Sequence, residues 1–518
     1  MPSSSGLFRR IAPVFLVISL FVVYLFSMAP GFTWAHDGAD GGDLITAAAT
    51  GGVPHPSGYP TFLLLARLFQ FLPLGSIAYR TNLMSAIFTA LTGLLVYDIV
   101  VGSPNSPARG KPLAGLIAGC AYGFSALAWS QATITEVYAL HIFFVALIIW
   151  LLVGRFAGSP NKPWLDAAIG LSMGLGMGDH LTAIFLLPAA LLAGIVTTIS
   201  RKKETRMSID WMSMGRRLGW MFAGLLVYGF ILWRAASGAP VNWGYAVNPE
   251  NLWWLVSGAF YQHYAFSVPS DSVLLRVVSV AQLLLTQFGF LGLIVGLYHL
   301  LRNSSLSRRS LVSGWVALAS IIFSIGYNTT GSYIYLLPFF LVFAIWIGFG
   351  VGDISGLLAQ RSNWLSVGAN AILLVSFLGM AIVTYPEIDL SGDHRADHFE
   401  KAAFAALPPK SIVVAKGDQA LFSLWYYHFV LKDRPDIVVL GDGLLSSPWY
   451  IDVLHDTYPA LNISMEDVLS QSIAEANSTR PTCTVMILDE QMSIDCYKSF
   501  SQNPGDSPYI SINQPIEK

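Results

Sequence analysis

The chain has 518 residues, 54% of them hydrophobic and only 12% charged, with a formal net charge of −2 and a mean hydropathy of +0.57. That composition excludes an ordinary soluble globular protein, and basic residues scattered through short loops offer no patch for a nucleic acid. Long runs that are apolar on all sides also exclude a β-barrel, whose strands alternate.

The first apolar run, 11–30, follows Phe8-Arg9-Arg10. At about 20 residues it exceeds a usual signal-peptide core and no A-x-A site follows, so it reads as a retained helix. The segment after it, 31–79, gathers Asp37, Asp40, Asp43, His36 and His55 in a chain where charge is scarce. Asp40 and Asp43 stand three residues apart and share one side of a helix start, which suits N-capping. Three carboxylates with two histidines beside a membrane span favour a site over a set of caps. Within the same segment, 61–72 is apolar but too short to span, and reads as a helix lying in the interface or across the bundle.

Apolar runs give about eleven spans: 11–30, 80–101, 113–128, 137–154, 164–178, 181–200, 217–234, 274–301, 311–326, 333–350 and 365–385. The basic residues between them, from Arg9 and Arg10 to Arg361, then fall on one side, which the positive-inside rule makes cytoplasmic. The expected molecule is a polytopic α-helical membrane protein, cytoplasmic at its N-terminus. Its transmembrane domain is 1–385, with external loops 31–79 and 235–273, and its extracytoplasmic C-terminal α/β domain is 386–518.

Loops on the external side hold further polar groups. Glu136 follows Thr135 and caps the next helix or serves the site; both readings stay open. Gly170, Gly174 and Gly178 are spaced for close helix packing. Asp179 and His180, at the tip after them, are costly at membrane depth unless paired or used. Arg234 ends a span just before Pro240-Val241-Asn242-Trp243-Gly244, and either snorkels to lipid or grips a phosphate with its planar fork. No H-E-x-x-H or paired C-x-x-C marks a metal site.

Past 386 the composition turns polar. Strands at 411–415 and 436–440 flank a helix at 419–431, with a third strand at 484–488, and a small α/β domain follows. Cys120 lies in a span as a small buried hydrophobe. Cys483 and Cys496 form a disulfide only if this part leaves the cytosol, and the sequence leaves that open.

Asp40-Gly41-Gly42-Asp43-Leu44-Ile45-Thr46-Ala47-Ala48 and then Pro54-His55-Pro56-Ser57-Gly58-Tyr59-Pro60 resemble the D-x-G-[ED]…H-P-P-G-Y-P signature of a multispanning family related to animal protein O-mannosyltransferases. Arg80-Thr81-Asn82, Thr135-Glu136-Val137-Tyr138, Pro240 to Gly244 and Asp418 to Tyr426 resemble further blocks in the same order. Ser57, Asp43 and Asp179 depart from the usual proline, glutamate and asparagine. The resemblance implies the GT-C glycosyltransferase architecture, with a catalytic acid in the first external loop and a polyprenyl-phosphate-linked sugar as donor. It implies Asp40 or Asp43 as catalytic base. Around the base, His55, Tyr59, Glu136, Asp179, His180, Arg234, Asn242 and Trp243 would bind substrate, with Arg234, helped by His55 or His180, beside the leaving phosphate. No cofactor is obligatory, although the acids could hold a divalent metal. The acceptor is expected to be a hydroxyl of an exported protein, on Ser or Thr, and the sugar mannose. Two rivals remain: a transporter or flippase of lipid-linked saccharide, and a GT-C enzyme acting on lipid or polysaccharide.

Overall fold

In the computed structural model of the chain, the described residues are 4–104, 106–155, 162–190, 193, 210–303, 307–463, 470–497 and 510–516. The apolar runs become helices: α1 (Ser4–Ser27), α2 (Gly41–Thr50), α3 (Pro60–Gln70), α4 (Ile77–Gly102), α5 (Pro112–Gly123), α6 (Ala126–Ala132), α7 (Tyr138–Val153) and α8 (Pro163–Met177), then long helices from Trp211 to Ile388. Among the described residues, seven stretches are long and apolar enough to cross a membrane: Leu7–Ser27, Ile77–Gly102, Trp211–Ala235, Val273–Arg302, Arg308–Gly326, Thr330–Ala359 and Asn363–Ile388. Helices α5 and α6, bent by 69° at the break between them, make an eighth if they form one broken span.

The expected count of eleven is therefore not reached by length alone. Helices α7 and α8 have 16 and 15 residues, which at ~1.5 Å per residue fall short of a hydrocarbon core of about 30 Å. The run expected at 181–200 begins with Leu181–Ala190 and then lies mostly outside the described residues, as does the basic stretch 201–206.

Packing separates a centre from a rim. In the most apolar 18 residues of Thr330–Ala359, 89% of the residues are buried, whereas in those of Val273–Arg302 and Asn363–Ile388 only 17% are, and these turn apolar side chains outward, as lipid-facing helices do. Helix α1 joins the bundle through Leu16 and Leu20, which press on Gly119, Gly123 and Gly93. Gly170 and Gly174 admit the backbone of Trp211–Leu225 at Arg217 and Met221, so the glycine spacing serves helix contact.

The C-terminal part holds a five-stranded sheet in the order β2-β1-β3-β4-β5, formed by β1 (Ile412–Lys416), β2 (Val438–Gly441), β3 (Thr482–Leu488), β4 (Gln491–Tyr497) and β5 (Ile510–Pro515). The three expected strands are β1, β2 and β3, which run parallel. Strands β4 and β5 add an antiparallel edge that the sequence reading did not contain. Both are amphipathic and carry polar residues at alternate positions, so no continuous apolar run marks them. Cys483 and Cys496 are directly opposed on β3 and β4 and form a disulfide. The helix expected at 419–431 is an α-helix over Asp418–Trp425 continued by one π-turn, Tyr426–Val430.

Candidate active site

The site is built where three distant segments meet α2. Gly41 and Gly42 allow this. A Cβ on Gly41 would lie 2.8 Å from the Thr135 carbonyl oxygen, and one on Gly42 would lie 2.6 Å from that of Phe422. The two glycines thus bring the 133–137 loop and the Asp418–Trp425 helix into backbone contact with the start of α2. Loop 235–273 is fastened by a short parallel bridge, in which Val53 N–H donates to Val241 O (2.9 Å) and Trp243 N–H donates to Val53 O (3.0 Å). Gly52 faces Val241 O so closely that a Cβ would sit 2.1 Å away. Asn82 ties the remaining blocks together. It donates to the Ala29 and Gly31 carbonyls and accepts from Thr135 Oγ1 at 2.6 Å.

Asp40 is the N-cap of α2 but makes no capping hydrogen bond, and Asp43, in the first turn, turns its fully buried carboxylate to other partners. The capping reading is thereby corrected. Asp43 Oδ2 accepts from His55 N–H (2.9 Å) and from His55 Nδ1 (2.7 Å), and Asp43 Oδ1 accepts from Trp243 Nε1 (3.2 Å). On the other edge of the ring, Tyr59 Oη lies 3.0 Å and Asp40 Oδ2 3.6 Å from His55 Nε2. Because the Tyr59 hydroxyl donates to Pro56 O at 2.9 Å, it accepts from His55. Both ring nitrogens therefore carry hydrogens, and His55 is an imidazolium. Burial opposes that charge, but the Asp40 charge and the hydrogen bond to Asp43 outweigh it and raise the His55 pKa to about 9.

The two aspartates differ in access. Asp43 is sealed, whereas the Asp40 side chain is 44% exposed and lies within electrostatic reach of Asp418 in the C-terminal part. Dense surroundings raise the Asp40 pKa, His55 pulls it down, and Asp418, Asp43 and Asp37 push it up again. Asp418, at the start of its helix, feels His55 and Asp43 in turn. Sequence reasoning did not assign Asp418 to the site. Its signal was present, since it opens one of the blocks that carry the resemblance, but only the fold brings it to α2.

Glu136 is buried. Its Oε2 accepts a long bond of 3.3 Å from Val137 N–H, and Oε1 has no hydrogen-bond partner among the described residues. Burial, then the charge of Asp40, pushes its pKa well above the carboxylate range. From His55 a ladder of rings leads inward. Tyr59 stacks on His180 (6.3 Å, 23°), and His180 meets Tyr138, His141 and Tyr335. Burial and then the His55 charge lower the His180 pKa to about 4, so that ring is neutral. Thr182 bridges His180 Nδ1 (2.7 Å) and His141 Nε2 (3.1 Å). Beyond this bridge lies a tight, mostly apolar slot lined by Val145, Phe185, Leu186, Phe323 and Tyr335.

Other expected residues stand apart. Asp179 is fully buried, both carboxylate oxygens lack partners among the described residues, and burial holds its pKa well above the usual range. Asn242 secures the second loop by donating to Ala235 O at 2.8 Å. Arg234 is not brought to the carboxylates. Its guanidinium donates to the Gly51 and Thr50 carbonyls at the far end of α2, about 12 Å from Asp43 by helix rise. The reason is the unpaired carbonyls of a helix C-terminus, which attract a cation. Among the described residues no group of three His, Cys, Asp or Glu side chains is arranged to hold a metal ion.

The fold and this loop define a class. Over 92% of the chain and 93% of the other, the structure superposes on ArnT from Cupriavidus metallidurans bound to undecaprenyl phosphate, with a TM-score of 0.58 and 14% identity. Over 98% of the chain and 76% of the other, it superposes on the Archaeoglobus fulgidus oligosaccharyltransferase tethered with an acceptor peptide, with a TM-score of 0.52 and 13% identity. The chain thus shares the fold of these two proteins, and its long apolar helices make it an integral membrane protein. Residues 40–204 match the family model of the protein O-mannosyl-transferase TMEM260 N-terminal domain, and residues 396–492 match that of the TMEM260-associated domain 2. Two curated relatives are named protein O-mannosyl-transferase TMEM260. That of Mus musculus is 28% identical over 89% of this chain, and that of Dictyostelium discoideum is 23% identical over 84%. The chain spans 66% and 58% of the lengths of those relatives. By these matches the chain resembles the protein O-mannosyltransferase family.

Proposed function

We propose that this chain moves a sugar, mannose by its resemblance, from a polyprenyl-phosphate carrier to an acceptor hydroxyl, on Ser or Thr of an exported protein. The observation that carries the reading is the division between Asp43, sealed and holding a charged His55, and Asp40, partly exposed beside that charge. The acceptor oxygen attacks the anomeric carbon, the bond from that carbon to the carrier's phosphate oxygen breaks, and Asp40 receives the acceptor's proton. The carrier phosphate leaves with the electron pair, and direct displacement inverts the anomeric centre. His55 keeps Asp40 ionised until the proton arrives. As the nearest fixed positive charge, it takes the electrostatic role once expected of Arg234. Glu136, Tyr59 and neutral His180 line the approach. The C-terminus is extracytoplasmic in this reading, which the disulfide supports, since such bonds persist in oxidising compartments.

The test is transfer by the purified full-length protein from a prenyl-phosphate mannose to Ser/Thr peptides, read by mass. Asp40→Asn keeps shape but not basicity, and turnover should fall roughly 100-fold or more with little change in melting temperature. Normal turnover in that variant would remove Asp40 from the chemistry.

A further inference from the structure

At the opposite end of α2 from the carboxylates lies a second cavity, of about 430 Å³, lined by Arg67, Arg234 and Lys432 and by no carboxylate. Arg67 comes from α3, Arg234 from the end of Trp211–Ala235, and Lys432 from the C-terminal part. None of the three has a carboxylate oxygen within 4.0 Å among the described residues. The arginines have a structural duty: Arg67 donates to Ala49 O and Arg234 to Gly51 O and Thr50 O, closing the end of α2. Each then lies on an aromatic face, Arg67 4.8 Å above Phe71 and Arg234 4.9 Å above Trp233. Helix closure accounts for these two cations but not for Lys432, which makes no hydrogen bond among the described residues and enters the cavity from another element.

The cavity opens beside exposed Leu64, Leu68, Phe71 and Trp233, the apolar flank of α3 and the end of a membrane span. The carbonyl bonds use only Nη1 of Arg67 and Nε and Nη2 of Arg234, so most of the guanidinium N–H groups are left to donate to phosphate oxygens. From this we infer that the Arg67–Arg234–Lys432 cavity is a second site, separate from the carboxylate cleft, that binds the phosphate headgroup of a membrane lipid. The inference does not depend on the proposed transfer reaction.

Native mass spectrometry of the full-length protein in detergent tests it, with phosphatidic acid as the phosphate monoester lipid, phosphatidylcholine of the same chains as control, and inorganic phosphate as the free ion. Phosphatidic acid should be retained in preference to phosphatidylcholine. Retention should weaken about 10-fold or more in Arg67→Gln/Lys432→Gln and about 3-fold in Lys432→Gln alone. The single variant touches no bond of the fold and keeps the test valid if the double variant is unstable. Equal retention of the two lipids, or retention unchanged in Lys432→Gln, would overturn the site. Displacement of phosphatidic acid by equimolar inorganic phosphate would assign the cavity to the free ion and overturn the lipid source.

Discussion

His55 is the residue on which the charge balance of the cleft turns. Its pKa in the fold is about 9, against ~6.5 in an unfolded chain. A group whose pKa is raised by folding stabilises fully below the unfolded value and loses that contribution as pH climbs through the folded one. The melting temperature should therefore decline between about pH 7 and 10, and Asp43→Asn, which removes the hydrogen-bonded carboxylate, should flatten that decline. A slope unchanged in the variant would mean that His55 is neutral. Asp179 makes a converse case. Burial pushes its pKa well above the usual range, and a protonated carboxyl offers one donor and one acceptor, close to what asparagine offers where the resembling family usually carries it. Asp179→Asn should thus keep turnover within about threefold and keep or raise the melting temperature. A large loss of turnover would show that the ionised acid is used. Asp40, Asp43, His55 and Tyr59 were legible as a group because charge is rare in this chain and clusters there. Which carboxylate is open and which is sealed depends on Trp243, 200 positions away from Asp43, and no spacing rule reports that.

At the scale of elements, α2 is positioned by what its glycines lack. Gly42→Ala sets a Cβ 2.6 Å from the Phe422 carbonyl oxygen, a backbone atom that cannot rotate away. The Asp418–Trp425 helix must retreat, at a cost of about 1–3 kcal/mol. Stability and turnover should fall together. Gly215→Ala is the control, since nothing lies within 4 Å of its Cβ and alanine favours the helix by about 1 kcal/mol. A Gly42→Ala protein as active and stable as the control would mean that the helix does not depend on this contact. The apolar runs located the long helices because burial in lipid and helix length leave an unmistakable period-free signature. The same rule also counted α7 and α8, which are too short to pass by length alone, and most of α7 is buried against other helices. Strands β4 and β5 escaped notice because half of their residues face away from the core.

Across the whole molecule, the C-terminal sheet and its helices are not an appendage. Trp34 Nε1 donates to Ser423 Oγ (2.9 Å), Tyr245 Oη to Asp456 (2.9 Å), and Trp243 packs among Phe422, Trp425 and Trp449. These contacts require that loop 31–79, loop 235–273 and residues 412–515 share one side of the membrane. Arg361, in the short turn between Thr330–Ala359 and Asn363–Ile388, lies at the other end of the long helices. Single cysteines at exposed Ser237, Gly443 and Arg361 make the arrangement measurable, because Cys120 is buried and Cys483 and Cys496 are bonded to each other. In intact cells a membrane-impermeant maleimide should label the cysteines at 237 and 443, and should label that at 361 only after permeabilisation. Labelling of 237 and 443 from opposite sides would separate the sheet from the cleft and remove Asp418 from it. Labelling of both only after permeabilisation, with 361 open, would keep the docked arrangement but invert the chain, placing Asp40 and the disulfide in the cytosol and contradicting an exported acceptor.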